Sequence, residues 1–258
     1  MVCWRPRSAA SRGAFFLGIT YATEPPPWFV DIRPRDIRFR QFPRRGLLVH
    51  GPSMTKIILV RHGHVEGIDP PRFRGRTEVP LTELGMRQAR ETARRIRGSW
   101  KPVAVYTSPM GRCVATGQAI SEATGVGNQP LDGLIDLNYG AWQWRTYDEI
   151  QAEAPKLLAV WRTAPHLFRF PDGDSLQDLV ARAADSLRFV LDRHPEQVVV
   201  MVGHDSVNRA LLLQVLDQPL SAYWRLAQDP CAISEIDIID ARPRVHRVNE
   251  TQHLAGSL

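Results

Sequence analysis

Three short runs, Lys56 to Val60, Val103 to Thr107 and Val198 to Val202, are apolar, rich in β-branched residues and closed by Gly, Ser or Pro. They are too short for helices and too uniformly apolar for half-exposed strands, so each reads as a strand buried on both faces. Between the first two, "LTELGMRQARETARRIRG" gathers Leu84, Ala89, Ala93 and Ile96 on one face. That spacing predicts an amphipathic helix from about Thr82 to Arg97, stopped by Gly98. Met110 to Thr124 and Ser206 to Leu216 read as further helices. "TYDE" at 146 to 149 and "SLQD" at 175 to 178 carry the hydroxyl and acid of a capping box and mark two more helix starts, the second helix running to about Arg193. "AISEIDIID" alternates and predicts a late strand at or near an edge. Strands alternating with helices imply an α/β fold, a three-layer α/β/α sandwich with a mostly parallel central sheet.

In such a sheet, ligands sit beyond the carboxyl ends of the strands, at the helix N-termini. Arg61 and His62 follow the first strand, and His204, in "VGHDS", follows the third. One histidine is a weak signal, but two at successive strand ends, with arginines, form a constellation. Arg112, in "TSPMGRCVAT", stands at the start of the helix after the second strand. There free amides and positive partial charge favour an anion. Arg61 and Arg112 add planar forks suited to two oxygens of one phosphoryl group. Arg72, Arg74 and Arg76, in "PRFRGRTE", are either an anion-reading loop or a solvated one.

Residues 1–53 differ from the rest of the chain. They are rich in Arg and Pro, as in "EPPPW", "IRPRD" and "FPRRG", and keep no helical or strand period. They hold nine of the 33 basic residues and three of the 27 acids, so the other 205 residues carry 24 of each and are neutral. The net charge of +6 therefore belongs to this segment and gives no basic face for nucleic acid to the remainder. The segment has features of a weak signal or transit peptide and of a disordered tail. The preferred expectation is a leader outside the fold, with the start at Met54, where "MTKIILVRHG" opens directly into the first strand; residues 54–258 then form one domain. No apolar run approaches the roughly 20 residues of a membrane-spanning helix. Three widely spaced cysteines, Cys3, Cys113 and Cys231, with no CxxC pair, suggest reduced thiols and a cytoplasmic protein.

"LVRHG", "RFRG" with "PLTELG", "YTSPMGRCVATGQAI", "LIDLNYGAWQ" and "VGHDSVNRALL", in this order from Met54 to about Leu216, resemble the histidine phosphatase superfamily in its phosphoglycerate-mutase-like branch. The resemblance implies that His62 is the phosphorylated nucleophile, that Arg61, Arg112 and His204 bind the phosphoryl oxygens, and that Asp136, four residues before Gly140, is the proton donor. It implies a phosphatase of a small phosphorylated metabolite, working without metal or other cofactor. The alternatives are a cofactor-dependent phosphoglycerate mutase and a catalytically silent binding member. His62-Gly63-His64 has a spacing able to hold zinc, but the resemblance supplies no further ligands. Two positions depart from the pattern: His64 stands where many members have an acid, and Ile68 where many have asparagine.

Overall fold

The computed structural model describes residues 53–256; the N-terminal leader reading and Cys3 lie outside them. The strands are β1 (Met54–Arg61), β2 (Ala104–Thr107), β3 (Asn128–Pro130), β4 (Val198–Gly203), β5 (Ile233–Ile239) and β6 (Arg242–Glu250). The helices are α1 (Glu83–Ser99), α2 (Gly111–Thr124), α3 (Tyr147–Glu153), α4 (Pro155–Thr163), α5 (Leu176–Arg193) and α6 (Asp205–Val215). The sheet order is β3-β2-β4-β1-β5-β6. β3, β2, β4 and β1 run parallel, while β5 is antiparallel to both β1 and β6.

Alternation along the central strands sorts the core into two layers. Ile57, Leu59, Val199 and Met201 pack with Leu179, Ala183 and Val190 of α5 and Val207 and Leu211 of α6. Ile58, Val60, Val200 and Val202 pack on the other face with Ala93 and Ile96 of α1 and Cys113 and Ile120 of α2. These are the three layers that the strand and helix order predicts. The sheet's first face continues into an aromatic cluster, in which Phe73 stacks on Tyr147 at 4.3 Å and Trp161 meets Phe170 at 4.8 Å.

Both capping boxes are present: Thr146 with Glu149 opens α3, and Ser175 with Asp178 opens α5. One local expectation changes. Gly98 does not stop α1, which runs through it to Ser99 before the chain leaves in extended form at Trp100. A glycine need not adopt the left-handed conformation, and here the exit is fixed by Trp100, whose indole donates to Glu235 at 3.3 Å while Arg95 lies over its ring. β6 was not anticipated. "RPRVHRVNE" is charged, largely exposed and contains Pro243, so it has no clean alternating signature. It is an edge strand, where charge and proline guard against further pairing. "AISEIDIID" is accordingly β5, one strand in from that edge.

Candidate active site

β1 and β4 are neighbours, so their carboxyl ends bring Arg61, His62 and His204 to one rim. The amide of His62 donates to Gly203 O at 3.0 Å, joining the two strand ends directly. The next residue has to be glycine: a Cβ on Gly63 would stand 2.5 Å from Gly85 O, and one on Gly85 would stand 2.1 Å from His64 O. Two glycines let this loop press backbone to backbone against the start of α1.

His62 is 1% exposed, and its Nδ1 lies 2.7 Å from Gly63 O. A carbonyl only accepts, so Nδ1 carries the proton and Nε2 keeps its lone pair. Burial, reinforced by Arg112 and Arg61, holds the ring well below the usual imidazole range, so it is neutral. The His204 ring lies 5.2 Å away at 64° to that of His62. His204 is also held well below its ordinary value, by burial and then Arg112. Its Nδ1 is 3.2 Å from Arg112 Nη2, a group that only donates, so Nε2 carries the proton toward Ser108 Oγ at 2.8 Å.

Arg112 is fully buried. Its Nη1 donates to Thr77 O at 2.9 Å, and its Nη2 to Gly75 O at 2.6 Å and Asp136 Oδ2 at 3.1 Å. Its terminal fork thus ties the 75–77 loop and Asp136 together, leaving Nε as a buried donor without a protein partner. Arg61 spends Nη1 on Gln228 O at 2.5 Å, and its Nε is likewise buried and unpartnered. Two unsatisfied cationic donors beside a neutral imidazole are the features of an anion site, since such donors are costly unless a ligand completes them. Neither α2 nor α6 has a side-chain cap at its N-terminus: at α2 the Gly111 amide donates to Glu78 at 3.2 Å, and at α6 the N-cap is His204 itself.

Asp136 is 4% exposed. Oδ1 accepts from Ser206 Oγ at 2.5 Å and from the Leu137 amide at 2.8 Å, while Oδ2 faces Arg112 and lies 3.4 Å from His204 Nδ1. Burial raises its carboxyl above the ordinary value despite these donors, of which Arg112 opposes most. Asp205 behaves oppositely. Burial alone would raise it, but Arg61, Arg209 and Arg74 outweigh burial and hold it far below the carboxylate range. It pairs with Arg209 at 2.9 Å, and that guanidinium lies 5.3 Å from both the Tyr223 and Trp224 rings. One of these two carboxyls is pushed toward the acid form and the other away from it.

All five residues anticipated from the sequence, Arg61, His62, Arg112, Asp136 and His204, therefore belong to one buried cluster. Ser108, Ser206 and Asp205 were not anticipated. Asp205 and Ser206 stand directly after His204 in "GHDS", so their place in the first turn after a strand was a readable signal. Of the three loop arginines, Arg72 donates to Trp144 O at 2.8 Å and lies over its ring, and Arg76 pairs with Asp174 and donates to Asp136 O. His64 Nδ1 contacts Thr82 Oγ1 at 2.9 Å, beside the N-cap bond from Gly85. Among the described residues no cluster of three or more His, Cys, Asp or Glu has a metal-holding arrangement. None of the described helices is long and apolar enough to cross a membrane.

Residues 57–251 match the profile of the histidine phosphatase superfamily (branch 1). Phosphoserine phosphatase 1 of Hydrogenobacter thermophilus is 31% identical over 201 residues, covering 78% of this chain and 95% of that protein. A probable phosphoglycerate mutase GpmB of Yersinia pestis is 29% identical over 184 residues, covering 71% and 85%. Among solved structures, Bacillus stearothermophilus YhfR superimposes with a TM-score of 0.74 at 26% identity, covering 78% of this chain and 99% of that one. A mycobacterial glucosyl-3-phosphoglycerate phosphatase complexed with VO3 gives 0.69 at 25% identity, covering 76% and 99%.

Proposed function

Given that the chain belongs to the histidine phosphatase superfamily, we propose that it hydrolyses a small phosphate monoester through a phosphohistidine at His62, with no metal in the reaction. The observation that carries this reading is the 2.7 Å contact between His62 Nδ1 and Gly63 O, which leaves a neutral ring with Nε2 as its nucleophilic atom. In the first step Nε2 attacks phosphorus and the ester oxygen departs with a proton from Asp136. Then the Asp136 carboxylate takes a proton from water as that water attacks phosphorus, the P–N bond breaks, and inorganic phosphate is released. Arg61, the Nε of Arg112, the first-turn amides of α6 and His204 face the charge that grows on the phosphoryl oxygens. A bound dianion would draw a proton onto His204, which burial and then Arg112 hold in the neutral form.

Hydrolysis is favoured over isomerisation by the short stretch from Gly140 to Ser175. Of its basic groups, Arg145 pairs with Glu149 and Glu153, Arg162 donates to Gln151, and Arg169 pairs with Asp178. The fourth, Lys156, lies exposed on α4; Arg145 and Arg169 are engaged with carboxylates, and the basic groups are scattered along the stretch and do not gather into one grip. The names phosphoserine and glucosyl-3-phosphoglycerate both denote phosphate esters that also bear a carboxylate, so esters of this kind are the first to try. A cytoplasmic setting agrees with the free, buried thiols of Cys113 and Cys231. The test is a panel of phosphorylated metabolites scored for released phosphate, with 3-phosphoglycerate also scored for isomerisation. Phosphate release is expected. Isomerisation without net release would replace this reading with the mutase, and inactivity on every ester would replace it with a binding role.

A further inference from the structure

Ser206 is the second residue of α6. Near a helix start a serine hydroxyl ordinarily serves the free amides of its own helix. Here it does not. The side chain is fully buried, and its hydroxyl donates to Asp136 Oδ1 at 2.5 Å, across 70 residues of chain. The same oxygen accepts from the amide of Leu137 at 2.8 Å. A main-chain amide only donates, and a carboxyl oxygen offers two lone pairs. Both lone pairs of Oδ1 are therefore occupied, and an acid proton has no room there.

The other oxygen stands differently. Oδ2 accepts from Arg112 Nη2 at 3.1 Å and lies 3.4 Å from His204 Nδ1. That nitrogen keeps its lone pair, because the ring proton is on Nε2, toward Ser108. A proton on Oδ2 thus has an acceptor inside the cluster, whereas a proton on Oδ1 would have to displace Ser206 or the Leu137 amide. Without the serine hydroxyl, Oδ1 regains a free lone pair and either oxygen can carry the proton.

We propose that Ser206 is a positioning residue for the acid step: together with the Leu137 amide it confines the transferable proton to Asp136 Oδ2, the oxygen between Arg112 and His204. This rests on the proton-donor role proposed above for Asp136. A bond donated to a carboxylate also favours the charged form, so Ser206 helps to set the pH at which the acid form is lost. The other groups that face Asp136 leave that part to it. Arg112 opposes burial most and Asp205 reinforces it, while Arg61 shares the same field. Arg76 and Arg182 donate to the main-chain oxygen of Asp136. Burial raises Tyr139, Tyr223 and the Cys113 thiol, which stay neutral, and lowers His204, which stays neutral too. Removing the Ser206 hydroxyl leaves burial less opposed and moves Asp136 further up.

Two measurements on the full chain test this. In the carboxyl carbon-13 spectrum, the Asp136 signal, identified by its absence from Asp136→Asn, should titrate about one pH unit or more higher in Ser206→Ala than in wild type. Ser206→Thr, which keeps a hydroxyl, should titrate near wild type. In kinetics, the alkaline fall of kcat/KM for ethyl phosphate should move upward in Ser206→Ala, from a plateau roughly 5-fold or more below wild type. Nitrophenyl phosphate, whose leaving group needs no proton, should stay close to wild type. A carboxyl midpoint and an alkaline fall both unmoved in Ser206→Ala would overturn the proposal. An equal loss on both esters with the midpoint unmoved would overturn it too, by assigning Ser206 to packing. The carboxyl titration needs no turnover, so a raised midpoint in a protein that hydrolyses neither ester would overturn the phosphatase reading and keep the hold of Ser206 on Asp136.

Discussion

Asp136 Oδ2 lies 3.1 Å from Arg112 Nη2, with both side chains buried and the second carboxylate oxygen held by Ser206. This pair fixes the only carboxyl in the buried cluster that its surroundings push toward the protonated form. A general acid matters in proportion to how poorly the leaving oxygen bears charge. Asp136→Asn is therefore expected to slow hydrolysis of an alkyl phosphate by roughly 100-fold. Formation of phosphohistidine from nitrophenyl phosphate should stay much closer to wild type. Since burial raises Asp136, the acid form persists above the usual carboxylate range and is lost as pH climbs through the raised value. Turnover of alkyl esters should thus peak on the acidic side of neutrality, and that fall at higher pH should vanish in Asp136→Asn. Equal losses for both leaving groups would make Asp136 a positioning residue.

Arg112→Ala removes the partner of a buried carboxylate and strands the carbonyls of Gly75 and Thr77. Breaking a buried pair from one side costs about 3–5 kcal/mol, so urea titration should show a loss of that order. Arg112→Lys, which restores charge but not the fork, should recover only part of the stability and less of the activity.

Little more than the parallel order of the sheet was needed to bring these residues together. β-Branched runs and two capping boxes were legible because they are local signals, and the rim position of His62 and His204 followed from strands that end there. What could not be read were relations with no local signature. Arg112 spends its fork on the carbonyls of a loop some 35 residues away in the chain, Glu78 occupies the start of α2, and β6 hides its pairing behind charge and proline. Nor does the sequence of residues 72 to 76 reveal that Arg76 pairs with Asp174 while Arg72 and Arg74 donate to the carbonyls of Trp144 and Gly67.

Asp205 gives a prediction for stability against pH. Its folded value lies far below the ordinary carboxylate pKa of about 3.9, so its stabilisation is fully present above that value and is lost as pH falls toward the folded one. The deficit in thermal midpoint of Asp205→Asn should accordingly be largest near neutrality and shrink below about pH 4. A deficit independent of pH would point to packing in place of charge.

A chain beginning at Met54 should fold with the same thermal midpoint as the full chain and hydrolyse aryl phosphate at a similar rate. β1 begins at that residue and has both its edges filled, by β4 on one side and β5 on the other. Loss of folding on that truncation would show that the upstream segment contributes to the core.

The central claim is covalent chemistry at one nitrogen, and a rapid quench reads it directly. Wild type mixed briefly with a labelled phosphate ester should retain label that is stable to base and labile to acid. Mass spectrometry should place it on His62, and His62→Ala should retain none and turn over at background rate. Label on another residue, or full turnover by His62→Ala, would contradict the account.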